Sequence, residues 1–211
     1  MSRRDHWEKV YRSKHETDVS WYRPHLERSL EMILRSGVGL DARILDVGGG
    51  ASTLVDDLLT HGFRRVMVVD IAQAPLEAAQ KRLGDRARDV EWLVGDITKL
   101  DLPPNSIDVW HDRAGFHFLT SETDRKAYIE RVCRAVKPGG FVVLATFGPE
   151  GPERCSGLPV IRYSPDALHA EFGDTFRMVE HLGETHRTPW GTDQEFVYCM
   201  CVRESECRPA T

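Results

Sequence analysis

Two hydrophobic periods alternate along most of this chain. Near its start, Trp7, Val10 and Tyr11 recur at helical spacing within residues 5–14. Leu26, Leu30, Ile33 and Leu34 form an apolar stripe over residues 24–36, closed by Gly37. Further on, short apolar runs predict strands at Arg43 to Val47, Val66 to Asp70, Val90 to Val94, Ile107 to His111 and Phe141 to Phe147. Helical stretches lie between them. One is capped by Ser52 and runs to His61, and one covers Pro75 to Leu83 and is closed by Gly84. A long one opens at Ser121, which with Asp124 resembles a capping box, and reaches Val136. Pro138-Gly139-Gly140 reads as a turn before the last of these strands.

Strands alternating with helices imply right-handed βαβ units and a doubly wound parallel sheet buried on both faces. The C-terminal part departs from this rhythm. After a short helix opened by Ser164-Pro165, residues 175–186 and 194–203 predict two strands joined through Thr188-Pro189-Trp190-Gly191. So short a connection implies an antiparallel hairpin at one sheet edge. The expected organisation is one α/β domain over residues 1–211, a length that suits one such domain rather than two. Within it, residues 1–36 form an N-terminal helical lid, residues 43–147 a ligand-binding core, and residues 148–203 a substrate-side region with the hairpin.

Composition narrows the class. The hydrophobic share of 41% is that of a soluble globular chain. The net charge of −5 is spread along the chain without a basic block, so no nucleic-acid footprint is expected. Phe141 to Phe147 is strand length, far below the roughly 20 residues of a membrane span. The charged N-terminus does not read as a secretory signal. The five cysteines, Cys133, Cys155, Cys199, Cys201 and Cys207, form no even framework, which favours a reducing, cytoplasmic setting. Cys199 and Cys201 share one strand face and read as buried thiols; a metal site would need more ligands nearby.

Candidate chemistry concentrates at the strand ends. In open α/β sheets, ligands sit beyond the carboxyl ends of the strands, where strand order reverses. The first strand–helix turn is Leu45-Asp46-Val47-Gly48-Gly49-Gly50-Ala51-Ser52. Its glycines permit a tight turn and close backbone approach to a ligand, and the helix behind it offers free N–H groups. Such a loop alone could serve NAD, a nucleotide or S-adenosylmethionine. Three observations separate these. The third position of a dinucleotide fingerprint falls on Thr53. No Lys or Arg lies between Asp46 and Asp57, so the local sequence offers a pyrophosphate no cation, whereas a zwitterionic sulfonium tail suits the acids. Asp70 lies about 20 residues beyond the glycines, where an acid accepts from a ribose diol.

The ordered set over residues 43–147 resembles the class I S-adenosylmethionine-dependent methyltransferases. Leu45-Asp46-Val47-Gly48-Gly49-Gly50 is similar to their first motif, and Asp70, followed by Ile71, to their ribose acid. Gly95-Asp96-Ile97 resembles the turn whose Asp accepts from the adenine amino group, with Ile97 beside the ring. Val136-Lys137-Pro138-Gly139-Gly140 is similar to their Leu-Lys-Pro-Gly-Gly turn. Ser52 departs from the third glycine of many members. The resemblance implies a Rossmann-like sheet of seven strands, mostly parallel with an antiparallel C-terminal strand. It implies S-adenosylmethionine as cofactor, S-adenosylhomocysteine as product, and Asp46, Gly48, Gly50, Asp70, Ile71, Asp96 and Ile97 as cofactor contacts.

Two regions are expected on the acceptor side. The N-terminal Trp7 and Tyr11, then Trp21-Tyr22, resemble a methyltransferase subgroup that includes protein lysine methyltransferases. Asp112-Arg113-Ala114 is similar to the Asp-Lys-Gly that ends the fourth strand there; His111, Ala114 and His117 depart from it. Trp7, Tyr11, Trp21, Tyr22 and Arg113 are thus substrate-binding candidates, the aromatics serving equally as a lid or as a hydrophobic staple. His111, Asp112 and His117 are candidate bases for an acceptor that arrives protonated. The leading expectation is methyl transfer to a small molecule, with a protein lysine methyltransferase next. A non-catalytic S-adenosylmethionine-binding regulator and an NAD-dependent oxidoreductase come from other classes.

Overall fold

The computed structural model describes residues 2–204, so Cys207 lies outside the described residues. Ser2 caps α1 (Arg3–Ser13) with a reciprocal box to Asp5, and α2 (Glu27–Arg35) follows Pro24. The alternating region gives β1 (Arg43–Val47), α3 (Leu54–Thr60), β2 (Arg65–Asp70), α4 (Gln73–Leu83) and β3 (Val90–Val94). Next come β4 (Ile107–Arg113), α5 (Glu122–Ala135) and β5 (Val136–Phe147). A small hairpin, β6 (Arg154–Cys155) and β7 (Leu158–Pro159), precedes α6 (Pro165–Ala170). The edge hairpin is β8 (Phe176–Arg187) and β9 (Asp193–Arg203).

Seven strands form one sheet in the order β3-β2-β1-β4-β5-β9-β8. The first five pair in parallel, and β9 runs antiparallel to both β5 and β8. The sheet is therefore of the expected kind. Strand order reverses between β1 and β4, which opens a crevice at their carboxyl ends. Both sheet faces are buried. Leu45, Trp110, Tyr128 and Leu144 pack on one side, and Ile44, Leu54, Val109 and Tyr198 on the other. Cys199 and Cys201 are buried free thiols.

Two local expectations change. Pro138-Gly139-Gly140 does not precede β5 but lies within it. Val136 already pairs with Ile107 and Phe141 with Val109, so residues 137–140 bulge out between those pairs. In this bulge Lys137 Nζ reaches Asp108 Oδ1 at 2.7 Å. Ser52 does not cap as expected, because α3 starts at Leu54 with Thr53 in the cap position; Ser52 Oγ accepts from Leu54 N.

Candidate active site

The loop after β1 turns sharply because Gly48 and Gly50 take positive φ, +65° and +45°. Gly48 N and Gly49 N donate to Val69 O on β2, which pins the loop beside the end of that strand. A Cβ on Gly50 would stand 2.8 Å from Asp70 Oδ2, whereas one on Gly48 would meet nothing nearer than Gly115 Cα at 3.8 Å. The loop thus puts bare backbone against the crevice at Gly48 and against the acid at Gly50.

Asp70 closes β2 and is buried. Its Oδ1 accepts from Ala72 N at 2.9 Å. Burial pushes its carboxyl up to about 7, against the backbone hydrogen bond, with Asp46 and Glu8 adding repulsion. Such an acid gains from further donors, which is what a ribose diol supplies. After β3, Asp96 Oδ1 accepts from both Thr98 N and Thr98 Oγ1, which turns the chain sharply. Despite burial, these bonds and Lys99 hold Asp96 below the usual carboxylate range.

A cleft with an empty volume of about 860 Å³, open mouth included, runs across these ends. Gly48, Asp70, Ile71, Asp96 and Ile97 line one part of it. Trp7, Tyr11, Trp21, Phe118 and Cys155 line the other, with Asp112 and Arg113 in the wall. Asp46, Tyr22 and His111 line a smaller neighbouring pocket, which Arg113 and Gly48 share. The structure therefore gathers most of the expected positions, while Gly50 and His117 line neither space.

The three candidate bases are buried and hydrogen-bonded, His117 through Nδ1 alone, its Nε2 being buried without a partner. His111 is buried; its Nδ1 donates to Asp46 Oδ1 at 2.7 Å and its Nε2 meets Ser29 Oγ at 2.8 Å. This chain ties the glycine-loop strand to α2. Asp112 Oδ1 accepts from Gly115 N and Phe116 N, and its Oδ2 accepts from Tyr128 OH at 2.8 Å. It holds the turn after β4, in which Ala114 takes φ +65°. Burial lifts its carboxyl to about 6, against those three donors. His117 is enclosed; burial, then Arg113, depress its imidazole to about 3, and its Nδ1 accepts from Phe147 N. Arg113 donates to Tyr198 OH (2.9 Å) and Trp21 O (3.1 Å) and lies over the Phe196 ring.

The N-terminal segment lies over the cleft. Trp7 packs against Trp21 and Phe118 with ring centroids 5.7 and 5.1 Å away, and Tyr11 against Trp21 at 6.2 Å. Polar ties fix the segment along its length. Arg3 pairs with Asp124, and Glu8 accepts from Gln73 N and Ala74 N at the start of α4. Glu16 pairs with Arg82, Ser20 O accepts from His186 Nε2, and Arg23 pairs with Glu184. Arg82 also reaches Asp56, Ala51 O and Ser52 O. The cation that the local sequence lacks thus arrives from α4, where it binds the loop's carbonyls. Cys155, Arg82, Glu8 and Phe118 were not among the expected site residues. Only Cys155 had a local cue, the Ser156-Gly157 turn dipeptide that forms the β6–β7 hairpin.

The sheet order, the glycine loop after β1 and the acids after β2 and β3 define a class I methyltransferase fold. A family model described as "Methyltransferase domain" matches residues 44–140. Over residues 44–140 the chain is similar to S-adenosylmethionine-dependent methyltransferases, and its seven-stranded sheet has their fold. Among relatives, it is 28% identical over 139 residues to an eEF1A lysine and N-terminal methyltransferase of Mus musculus, covering 66% of this chain and 20% of that protein. It is 34% identical over 110 residues to the ubiquinone/menaquinone biosynthesis C-methyltransferase of Coxiella burnetii, covering 50% of this chain and 42% of that one. The chain thus spans a fifth to two fifths of the length of these relatives. A solved S-adenosylmethionine-dependent methyltransferase of Anabaena variabilis shares the fold with a TM-score of 0.74 at 15% identity, over 97% of this chain and 96% of its own. No helix among the described residues is long and apolar enough to cross a membrane.

The residues fit the cofactor. Asp46 Oδ2 is buried without a hydrogen-bond partner, Asp70 is an under-solvated acid, and the Gly48 backbone is open to the cleft. These are places for an ammonium, a diol and a closely approaching tail.

Proposed function

We propose that this protein transfers the methyl group of S-adenosylmethionine to a small-molecule acceptor held beneath its N-terminal aromatic residues. One observation carries the reading: a single cleft joins the glycine loop and strand-end acids to a wall of aromatic rings. Asp70 accepts from the ribose hydroxyls, Asp96 from the adenine amino group, and Ile71 and Ile97 flank the ring. Gly48 and Gly50 admit the methionine tail through their backbone, and Asp46 faces its ammonium. The bound cofactor supplies an activated methyl carbon on a sulfonium.

On the acceptor side, Trp7, Tyr11 and Trp21 exclude water and orient the nucleophile, while Arg113 fixes the Trp21 carbonyl and Tyr22 flanks the smaller pocket. Asp112 and His111 brace the strand ends, and His117 fills the core beside Phe147. Catalysis then rests on placing two reactants in line within a dry site.

A protein lysine acceptor is the second reading, favoured by the similarity to a lysine methyltransferase. Two measurements test these readings. Calorimetric titration with S-adenosylmethionine, S-adenosylhomocysteine and NAD should show the first two binding and NAD not. Turnover with a cell extract, separated into protein and metabolite fractions, should put label in the metabolites. Label confined to protein sinks the small-molecule reading, and binding without any turnover indicates a regulator.

A further inference from the structure

The acceptor end of the cleft has a chemical character that narrows the nucleophile. Its walls are the rings of Trp7, Tyr11, Trp21 and Phe118 and the Cys155 side chain. Trp7 packs edge to face on Trp21 and Phe118, and Tyr11 on Trp21, so the rings make one continuous, largely apolar wall. The acidic groups in the wall are already engaged, and none of its cations can act as a base. Both Asp112 oxygens accept hydrogen bonds. Arg113 donates to Tyr198 OH and the Trp21 carbonyl and lies over the Phe196 face, while its buried Nη2 has only Glu184, 4.0 Å away and beyond hydrogen-bond range. Arg3 pairs with Asp124, and Asp70 and Asp96 stand on the cofactor side. His6, His111 and His117 do not line the cleft. Burial pushes the Cys155 thiol up to about 11 and the Tyr11 phenol higher still, so neither is a proton acceptor near neutral pH. Among the described residues, nothing facing the acceptor is placed to remove its proton.

An acceptor in this site must therefore reach its reactive form in water. A phenol ionises near pH 10 and a thiol near 8.5, so at neutral pH a thiol supplies roughly thirty times more anion. A few per cent of a thiol is already thiolate at pH 7, and it is intrinsically very nucleophilic. The apolar wall adds a second preference. An anion attacking a sulfonium cancels two charges on the way to product, and cancellation is favoured where the dielectric is low.

Resting on the methyltransferase reading above, we propose that the acceptor is an apolar thiol, methylated on sulfur. The thiol proton leaves to solvent before the displacement. The thiolate then gives an electron pair to the methyl carbon, a new S–C bond forms, and the sulfonium S–C bond breaks. Its electron pair stays on the departing sulfur, which leaves as neutral S-adenosylhomocysteine.

Thiophenol, phenol and aniline share one ring and differ in the nucleophile, so they separate the chemistry from the shape. The full chain is assayed with each and with benzyl mercaptan, reading S-adenosylhomocysteine formed. Thiophenol should turn over at least tenfold faster than phenol or aniline, with the methyl group on sulfur. Phe118→Ala should raise the KM for thiophenol severalfold and leave cofactor affinity unchanged. Phenol or aniline matching thiophenol overturns the proposal. So does failure of both thiols in protein that binds S-adenosylmethionine by calorimetry. A folded protein that does not bind S-adenosylmethionine instead overturns the reading on which the proposal rests, and the proposal with it.

Discussion

Replacing Asp70 by Asn separates a cofactor-binding acid from a merely structural one, because the two roles predict opposite changes. The asparagine oxygen can keep the bond from Ala72 N that Oδ1 now accepts. What disappears is the charge and the second acceptor. A hydrogen bond to a charged group contributes about 1.5–3 kcal/mol, so S-adenosylmethionine affinity should fall roughly 10- to 150-fold. Stability should move the other way. Asp70 has its folded carboxyl raised to about 7 by burial, above the unfolded value near 4. Ionising it therefore costs stability as pH rises from the unfolded value through 7. Below pH 4 wild type and variant should melt together; at pH 8 the ligand-free variant should melt higher. Calorimetric titration gives the affinity and thermal melts at several pH values give the stability. Unchanged affinity in a folded variant refutes the ribose assignment, and a lower melting temperature at pH 8 refutes the claim that this carboxylate is under-solvated.

Four further outcomes follow from the same geometry. Gly50→Val, with its Cβ 2.8 Å from Asp70 Oδ2 and φ at +45°, should abolish cofactor binding by titration while circular dichroism shows the fold retained. Arg82→Met should cost about 1.5–3 kcal/mol in denaturant melts, since it strips charged bonds from Asp56, Glu16 and the loop carbonyls. Tyr128→Phe leaves Asp112 Oδ2 without its donor. The Asp112 carboxyl, already raised to about 6, should rise further, so the loss of stability should be larger at pH 8 than at pH 5. Deleting residues 1–22 should cost methyl transfer far more than secondary structure by circular dichroism, because α1 has no fully buried residue; full-rate turnover would refute the lid role, and unfolding would make the segment a staple.

The parallel sheet was legible because Val66 to Asp70 and Phe141 to Phe147 are unbroken apolar runs, and a strand buried on both faces demands that pattern. The hairpin was legible from its short connection. The start of the glycine-loop helix was less so, because serine and threonine are adjacent there and either can occupy the cap. The bulge at residues 137–140 was hidden, since Pro-Gly-Gly reads the same whether it ends a turn or leaves a strand and rejoins it. The hardest features were relations between distant segments. His111 looked like a base because its sequence neighbours are acceptor-side residues, yet its ring answers to Asp46 and Ser29, 65 and 82 positions away. Arg82 looked like an ordinary helix cation, and only folding brings it to the glycine loop.

The contact between Glu8 and α4 joins two events that sequence keeps apart. The first amides of α4 have no cap from their own neighbourhood; Ala72 offers no side-chain bond, and Glu8 reaches across from α1 to accept from Gln73 N and Ala74 N. That helix begins three residues after the acid assigned to the ribose. Lifting the N-terminal segment therefore uncaps the helix, and its first turn frays. If the N-terminal segment lifts, hydrogen exchange at Gln73 and Ala74 should speed up with it. It can be read without labels and without turnover, before any acceptor has been identified.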